Sequence, residues 1–142
     1  MANPINDARA IAAKLKLIGF EVALHENLDG QGFRVALGEF SEKALKSDLA
    51  LVFYAGHGIE MNGQNYLTPV DARMKPESTA QFEAVPLEQV LGAVHAAGKL
   101  GPVMLDACRN DPFSATMTRS NGTRSVSRGG WPRYRLKVRR GF

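Results

Sequence analysis

The chain has 142 residues, 44% of them hydrophobic, which is the size and composition of one domain with a real core. No run of residues approaches the roughly 18 consecutive apolar positions of a membrane span, and the start, MANPINDARA, lacks the apolar stretch of a signal peptide, so the expected compartment is the cytoplasm. The formal charge of +4 hides a division: residues 117–142 hold eight Arg or Lys and no Asp or Glu, while residues 1–116 hold ten basic and 14 acidic side chains, so nucleic-acid binding is suggested by the tail alone.

In chain order, Asn3-Pro4 opens a helix as N-cap and first helical residue. Ala8, Ile11, Ala12, Leu15 and Ile18 continue it at helical spacing, and Gly19 ends it. Phe20–Leu24 alternates like a strand, and HENLDGQG is a polar loop. Phe33, Leu37, Phe40 and Ala44 mark the apolar face of a second helix. Leu49–Ala55 is an unalternating apolar run, the pattern of a strand buried on both faces. GHGIEMNGQN then reads as a Gly/Asn loop, Tyr66–Val70 as a short strand, and residues 72–84 as irregular surface. Leu87, Val90, Leu91 and Val94 predict a third helix ending near Gly98, and Pro102–Ala107 a further buried strand. Helices alternating with apolar strands predict an α/β fold with parallel strands and right-handed crossovers.

The two apolar strands end in reactive residues: the first in YAGHG, the second in LDACRN. Open α/β sheets bind ligands outside the carboxyl ends of their strands. Neighbouring strands lie about 4.8 Å apart, so His57 and Cys108 can meet beyond the sheet edge if their strands are adjacent. A thiol is only a few per cent thiolate at neutral pH and needs a base, and an imidazole can take its proton and later protonate the leaving amine. The glycines flanking His57 permit a sharp turn and a close substrate approach. The backbone N–H groups of Gly58 and Cys108 are candidates for an oxyanion hole.

VFYAGHG followed by LDACRN, with His57 and Cys108 51 positions apart, resembles the caspase/metacaspase family of cysteine peptidases (clan CD, peptidase C14), most closely its bacterial metacaspase-type members. NPINDARAIAAKLKLIGFEV resembles the family's first helix and second strand, and NYLTPVDA the segment after its catalytic histidine, so the resemblance covers about residues 3–120. It implies a caspase-like three-layer α/β/α fold with a mostly parallel sheet. It also implies hydrolysis of protein or peptide substrates through a thioester, with Cys108 as nucleophile, His57 as general base and acid, and Gly58 as an oxyanion donor. Asp106, two residues before the cysteine, corresponds to a metacaspase position that lines the pocket for Arg or Lys; the other reading of it is a structural acceptor for loop N–H groups.

Two departures from the family stand out. Its first strand, central in the sheet between those corresponding to Phe20–Leu24 and Leu49–Ala55, has no counterpart before the NPINDA helix, and the strands of its small-subunit-like half are not recognisable in Ser127–Phe142. The sequence therefore divides into a partial, large-subunit-like domain over residues 1–116 and a basic tail over residues 117–142. The rival functional readings are a catalytically silent caspase-like module that binds proteins and a small nucleic-acid binder driven by the tail arginines. The tail itself reads as a solvated, disordered segment; Arg interleaved with Trp131 and Tyr134 offers contacts to nucleic acid or an anionic membrane, but neither partner is firmly indicated, and neither is an oligomeric state.

Neither C-x-x-C nor H-E-x-x-H occurs, so no zinc site or other cofactor is expected, and His25 and His95 read as surface residues. The family resemblance allows calcium, with Asp29, Asp71 and Asp111 as acidic candidates, although no loop has calcium-binding spacing.

Overall fold

The computed structural model describes residues 3–74 and 77–108. The segment read as a basic tail, and Asp111, lie outside the described residues. Four helices, α1 (Pro4–Leu17), α2 (Gly30–Leu45), α3 (Glu77–Glu83) and α4 (Leu87–His95), accompany four strands, β1 (Val52–Met61), β2 (Gln64–Leu67), β3 (Val85–Pro86) and β4 (Val103–Cys108). The strands form one sheet in the order β3-β2-β1-β4. The β1–β4 pair is parallel, whereas β1–β2 and β2–β3 are antiparallel. The α/β expectation holds, and the sheet is mixed among the described residues because a hairpin extends it.

The first helix begins and ends as its sequence dictates. The Asn3 side chain accepts from the Ile5 N–H at 3.0 Å, and Pro4 occupies the first turn, where no N–H is needed. At the other end Gly19 takes φ +99°. The Phe20 N–H donates to the Leu15 carbonyl and the Gly19 N–H to the Lys16 carbonyl, the paired bonds of a Schellman cap. Helix α2 is capped by Asp29, whose carboxylate accepts from the Gly32 N–H at 2.6 Å.

Three expectations are corrected. Phe20–Leu24 is not part of any strand. Alternation suits those residues to a sheet, but a strand needs a neighbour, and among the described residues no strand pairs with it. Residues 77–83 are helical instead of irregular. The Gly/Asn loop after Ala55 is mostly strand: β1 runs on through Gly56, His57 and Gly58 to Met61. It reverses at Asn62-Gly63, both with positive φ (51° and 77°), and returns as β2. Asn-Gly is the favoured pair for a two-residue hairpin whose central residues both take positive φ.

Two layers of packing hold the sheet. Val52, Tyr54, Val103 and Leu105 share one face and pack with Phe33 and Leu37 of α2 and Leu87, Val90 and Leu91 of α4. Helix α1 packs on β1 and makes no comparable contact with α2 or α4, as a helix on the opposite face would. The most buried side chains are Leu67, Met74, Val85, Val90 and Val94, so the core sits beneath the hairpin and α4. The apolar run in β1 is only half-buried, contrary to its doubly buried pattern, and Met104 beside it is 45% exposed. The reason lies at the strand's edge. The Ala50 and Val52 N–H groups donate to the Leu100 and Pro102 carbonyls, so even-numbered residues bond towards β4. By alternation Leu51, Phe53 and Ala55 present their backbone groups to the other side, where β2 pairs only from Gly58 onward.

The entry to β4 depends on a close approach. A Cβ on Gly101 would overlap the Val94 carbonyl at the end of α4, backbone that cannot move aside without disturbing the helix. Gly101→Ala should therefore lower unfolding free energy by about 3 kcal/mol, measured by urea denaturation. A loss below about 0.5 kcal/mol would show that α4 and β4 are not held this closely.

Candidate active site

Among the described residues the parallel ladder runs from Val52↔Val103 to His57↔Cys108, so the positions of the histidine and the cysteine are directly opposed. Directly paired positions of neighbouring strands share a sheet face, with Cβ atoms about 5 Å apart. The next pair along β1 is Gly58↔Leu67, on the other neighbour. β2 thus joins β1 from the position after His57, on the edge opposite β4. His57 is exposed, whereas Gly58 and Ile59, immediately after it, are buried. Ladder parity also orients Gly58. The Thr68 N–H donates to the His57 carbonyl at 3.0 Å, which assigns the odd-numbered residues beyond His57 to the β2 side. The Gly58 N–H is consequently directed away from β2, towards the end of β4 at Cys108.

Asp106 lies opposite Ala55, one alternation below Cys108 on the same face, and is exposed. The fold brings His57, Gly58, Asp106 and Cys108 to one corner of the sheet. His25 is well separated in role: with Leu28, Asp29, Val35 and Glu39 it lines a shallow, open depression of about 430 Å³ beside the start of α2.

The backbone following the hairpin is tied to α2. Asp71 accepts from the Gly30 N–H at 2.9 Å, and the Val70 N–H donates to the Leu28 carbonyl at 3.0 Å. Glu83 accepts from the N–H groups of Arg73 and Met74 at 2.6 and 2.8 Å, which fixes the bend at Met74, where φ is +56°. Asp29 and Asp71 are therefore engaged in holding backbone. Among the described residues no three His, Cys, Asp or Glu side chains converge as a metal site.

A contributor that the motif reading passed over is Tyr54. Its ring lies on the α2 face with Phe33, centroids 6.1 Å apart, and its hydroxyl reaches forward to donate to the His57 carbonyl at 2.7 Å, with the Thr68 carbonyl at 3.4 Å. The spacing Tyr-x-Gly-His contains the clue. Residues i and i+2 share a strand face, so a glycine at i+2 leaves room for the tyrosine ring to lie along the strand. The Thr68 hydroxyl oxygen is buried with no hydrogen-bond partner.

With this arrangement established, the family assignment is direct: the caspase domain model matches residues 1–140. The chain belongs to the caspase domain family. No curated protein matches its sequence. Membership supports cysteine peptidase chemistry on protein substrates and agrees with the α/β architecture. It also confirms the resemblance drawn from VFYAGHG and LDACRN. Among the described residues of this caspase domain, no helix is long and apolar enough to cross a membrane.

Burial pushes the Tyr54 phenol up to about 12 from its ordinary value near 10. The folded chain therefore keeps a proton that the unfolded chain loses as pH rises from about 10 to about 12. The stability from this group is complete below pH 10 and is lost across that window. Wild type should lose about 2–3 kcal/mol more than Tyr54→Phe between pH 10 and 12, by chemical denaturation at each pH. Parallel stability curves for the two proteins would show that the phenol is not buried as described.

Proposed function

We propose that this caspase domain is a cysteine endopeptidase using a His57–Cys108 dyad and cleaving after Arg or Lys, as metacaspase-type enzymes do. The observation that supports it most is the parallel register in which the positions of His57 and Cys108 pair in the β1–β4 ladder. In this reading the proton passes between imidazole and thiol across that pair.

In this reading His57 takes the Cys108 proton and the thiolate attacks the scissile carbonyl carbon. Negative charge develops on the carbonyl oxygen, and the N–H groups of Gly58 and Cys108 stabilise it. The tetrahedral species collapses to a thioester as imidazolium protonates the departing amine. Water, deprotonated by His57, attacks the thioester, and the acid product leaves with Cys108 restored. In this reading Asp106, exposed two residues before Cys108, attracts a cationic side chain next to the scissile bond. A carboxylate there favours Arg or Lys and repels Asp.

The test is hydrolysis of paired fluorogenic peptides ending in Arg or Asp, with and without calcium. Cys108→Ala and His57→Ala should each reduce kcat/KM for the arginyl peptide by at least about 10³-fold while the circular dichroism spectrum stays that of a folded domain. Retained turnover in either variant would exclude the dyad. A folded wild-type chain without turnover would favour the second reading, a silent caspase-like module that binds proteins.

Asp106→Ala should raise KM for arginyl substrates about tenfold, about 1.4 kcal/mol of lost ground-state attraction, with kcat changed less. An unchanged preference for Arg over Asp in this variant would remove Asp106 from the specificity pocket.

A further inference from the structure

The geometry points to Tyr54, acting across Gly56, as a positioning residue for His57. This inference rests on the dyad reading for its catalytic consequence, but its structural content stands on other observations. The His57 carbonyl accepts two hydrogen bonds, from the Thr68 N–H at 3.0 Å and from the Tyr54 hydroxyl at 2.7 Å. The first ties His57 to the segment that follows β2. The second ties it to the face packed on α2, through the Phe33–Tyr54 contact. The His57 side chain is exposed, so the residue is held chiefly through its backbone. A carbonyl held from two directions fixes the peptide plane after His57. That plane also carries the Gly58 N–H, so one bond orients both the base and the proposed oxyanion donor.

Gly56 makes the bond possible. A Cβ on Gly56 would lie 2.7 Å from the Tyr54 hydroxyl oxygen and 2.9 Å from the ring carbon bearing it. No carbon tolerates contacts this short, and the ring, backed by Phe33, would have to swing away from the His57 carbonyl. Tyr54 and Gly56 therefore form one device, in which the glycine supplies the space that the phenol crosses. This also explains a glycine within a strand, where it ordinarily weakens the structure. The buried phenol stays protonated, and so remains a donor, throughout the pH range in which an imidazole titrates.

The experiment compares full-length wild type, Tyr54→Phe, Gly56→Ala and the double variant. Tyr54→Phe removes one oxygen and keeps the ring. Tyr54→Phe should reduce kcat for an arginyl peptide about tenfold with KM within twofold of wild type. It should slow alkylation of Cys108 by iodoacetamide at pH 7 by a similar factor. Gly56→Ala should do the same, and the double variant should be no worse than the worse single, because both remove one bond. A purely structural role would instead lower stability while leaving kcat per folded molecule unchanged.

Nuclear magnetic resonance separates this inference from the dyad reading. The chain has three histidines. Tyr54→Phe should shift the backbone and ring resonances of His57 and leave those of His25 and His95 in place, whether or not the chain hydrolyses peptides. Unmoved His57 resonances, additive effects of the two substitutions, or a kcat within twofold of wild type in Tyr54→Phe would each overturn the proposal. Failure of the dyad reading would appear separately, as Cys108→Ala retaining activity.

Discussion

The proposed dyad of this domain depends on the register of one parallel strand pair. A shift of one residue along β4 would put Cys108 opposite Gly56 or Gly58 and turn it to the other sheet face, because side chains alternate along a strand. Apolar packing guards against that slip. Val52 and Tyr54 on β1 and Val103 and Leu105 on β4 occupy the face covered by α2 and α4. Sliding the strand would expose these side chains and bury Asp106. The packing that stabilises one face thus sets the alignment of the chemistry on the other.

Much of this was legible in the sequence. The caps of α1 and α2, the spacing of Phe33 and Leu37, and the apolar run before YAGHG all specify local structure by themselves. His57 and Cys108 stood out as candidates because reactive residues at two strand ends carry a chemical meaning that neighbouring apolar residues do not, and the register pairs their positions. What the sequence left obscure was pairing. Asn62-Gly63 is a strong hairpin pair, but the glycines around His57 masked the strand leading to it and suggested a loop. Phe20–Leu24 illustrates the reverse error. Its alternation fits a strand, yet strand formation depends on a partner's backbone and so on distant parts of the chain. Tyr54 was hidden for a third reason: its hydroxyl contacts backbone carbonyls, and no side-chain motif records a bond of that kind.

The half-buried β1 gives the domain an uneven character. Its well-packed core lies below the hairpin, where Leu67, Val85, Val90 and Val94 are almost wholly enclosed. The proposed catalytic corner belongs to the less covered part of the sheet. There Leu51, Phe53 and Ala55 direct backbone groups to an edge unpaired among the described residues. Backbone groups left open to water are tolerable, but they contribute less rigidity than a completed ladder. The two hydrogen bonds on the His57 carbonyl are therefore of more consequence than they would be in a fully enclosed strand.

The central claim, that the β1–β4 register makes His57 and Cys108 a working pair, is tested most directly by covalent trapping. The folded chain would be treated with an arginyl acyloxymethyl ketone at neutral pH and the modified residue located by peptide mass spectrometry. Labelling confined to Cys108, and lost in His57→Ala, is the outcome required by the opposed pair. A folded chain that stays unlabelled at Cys108, or one labelled equally with and without His57, would contradict it.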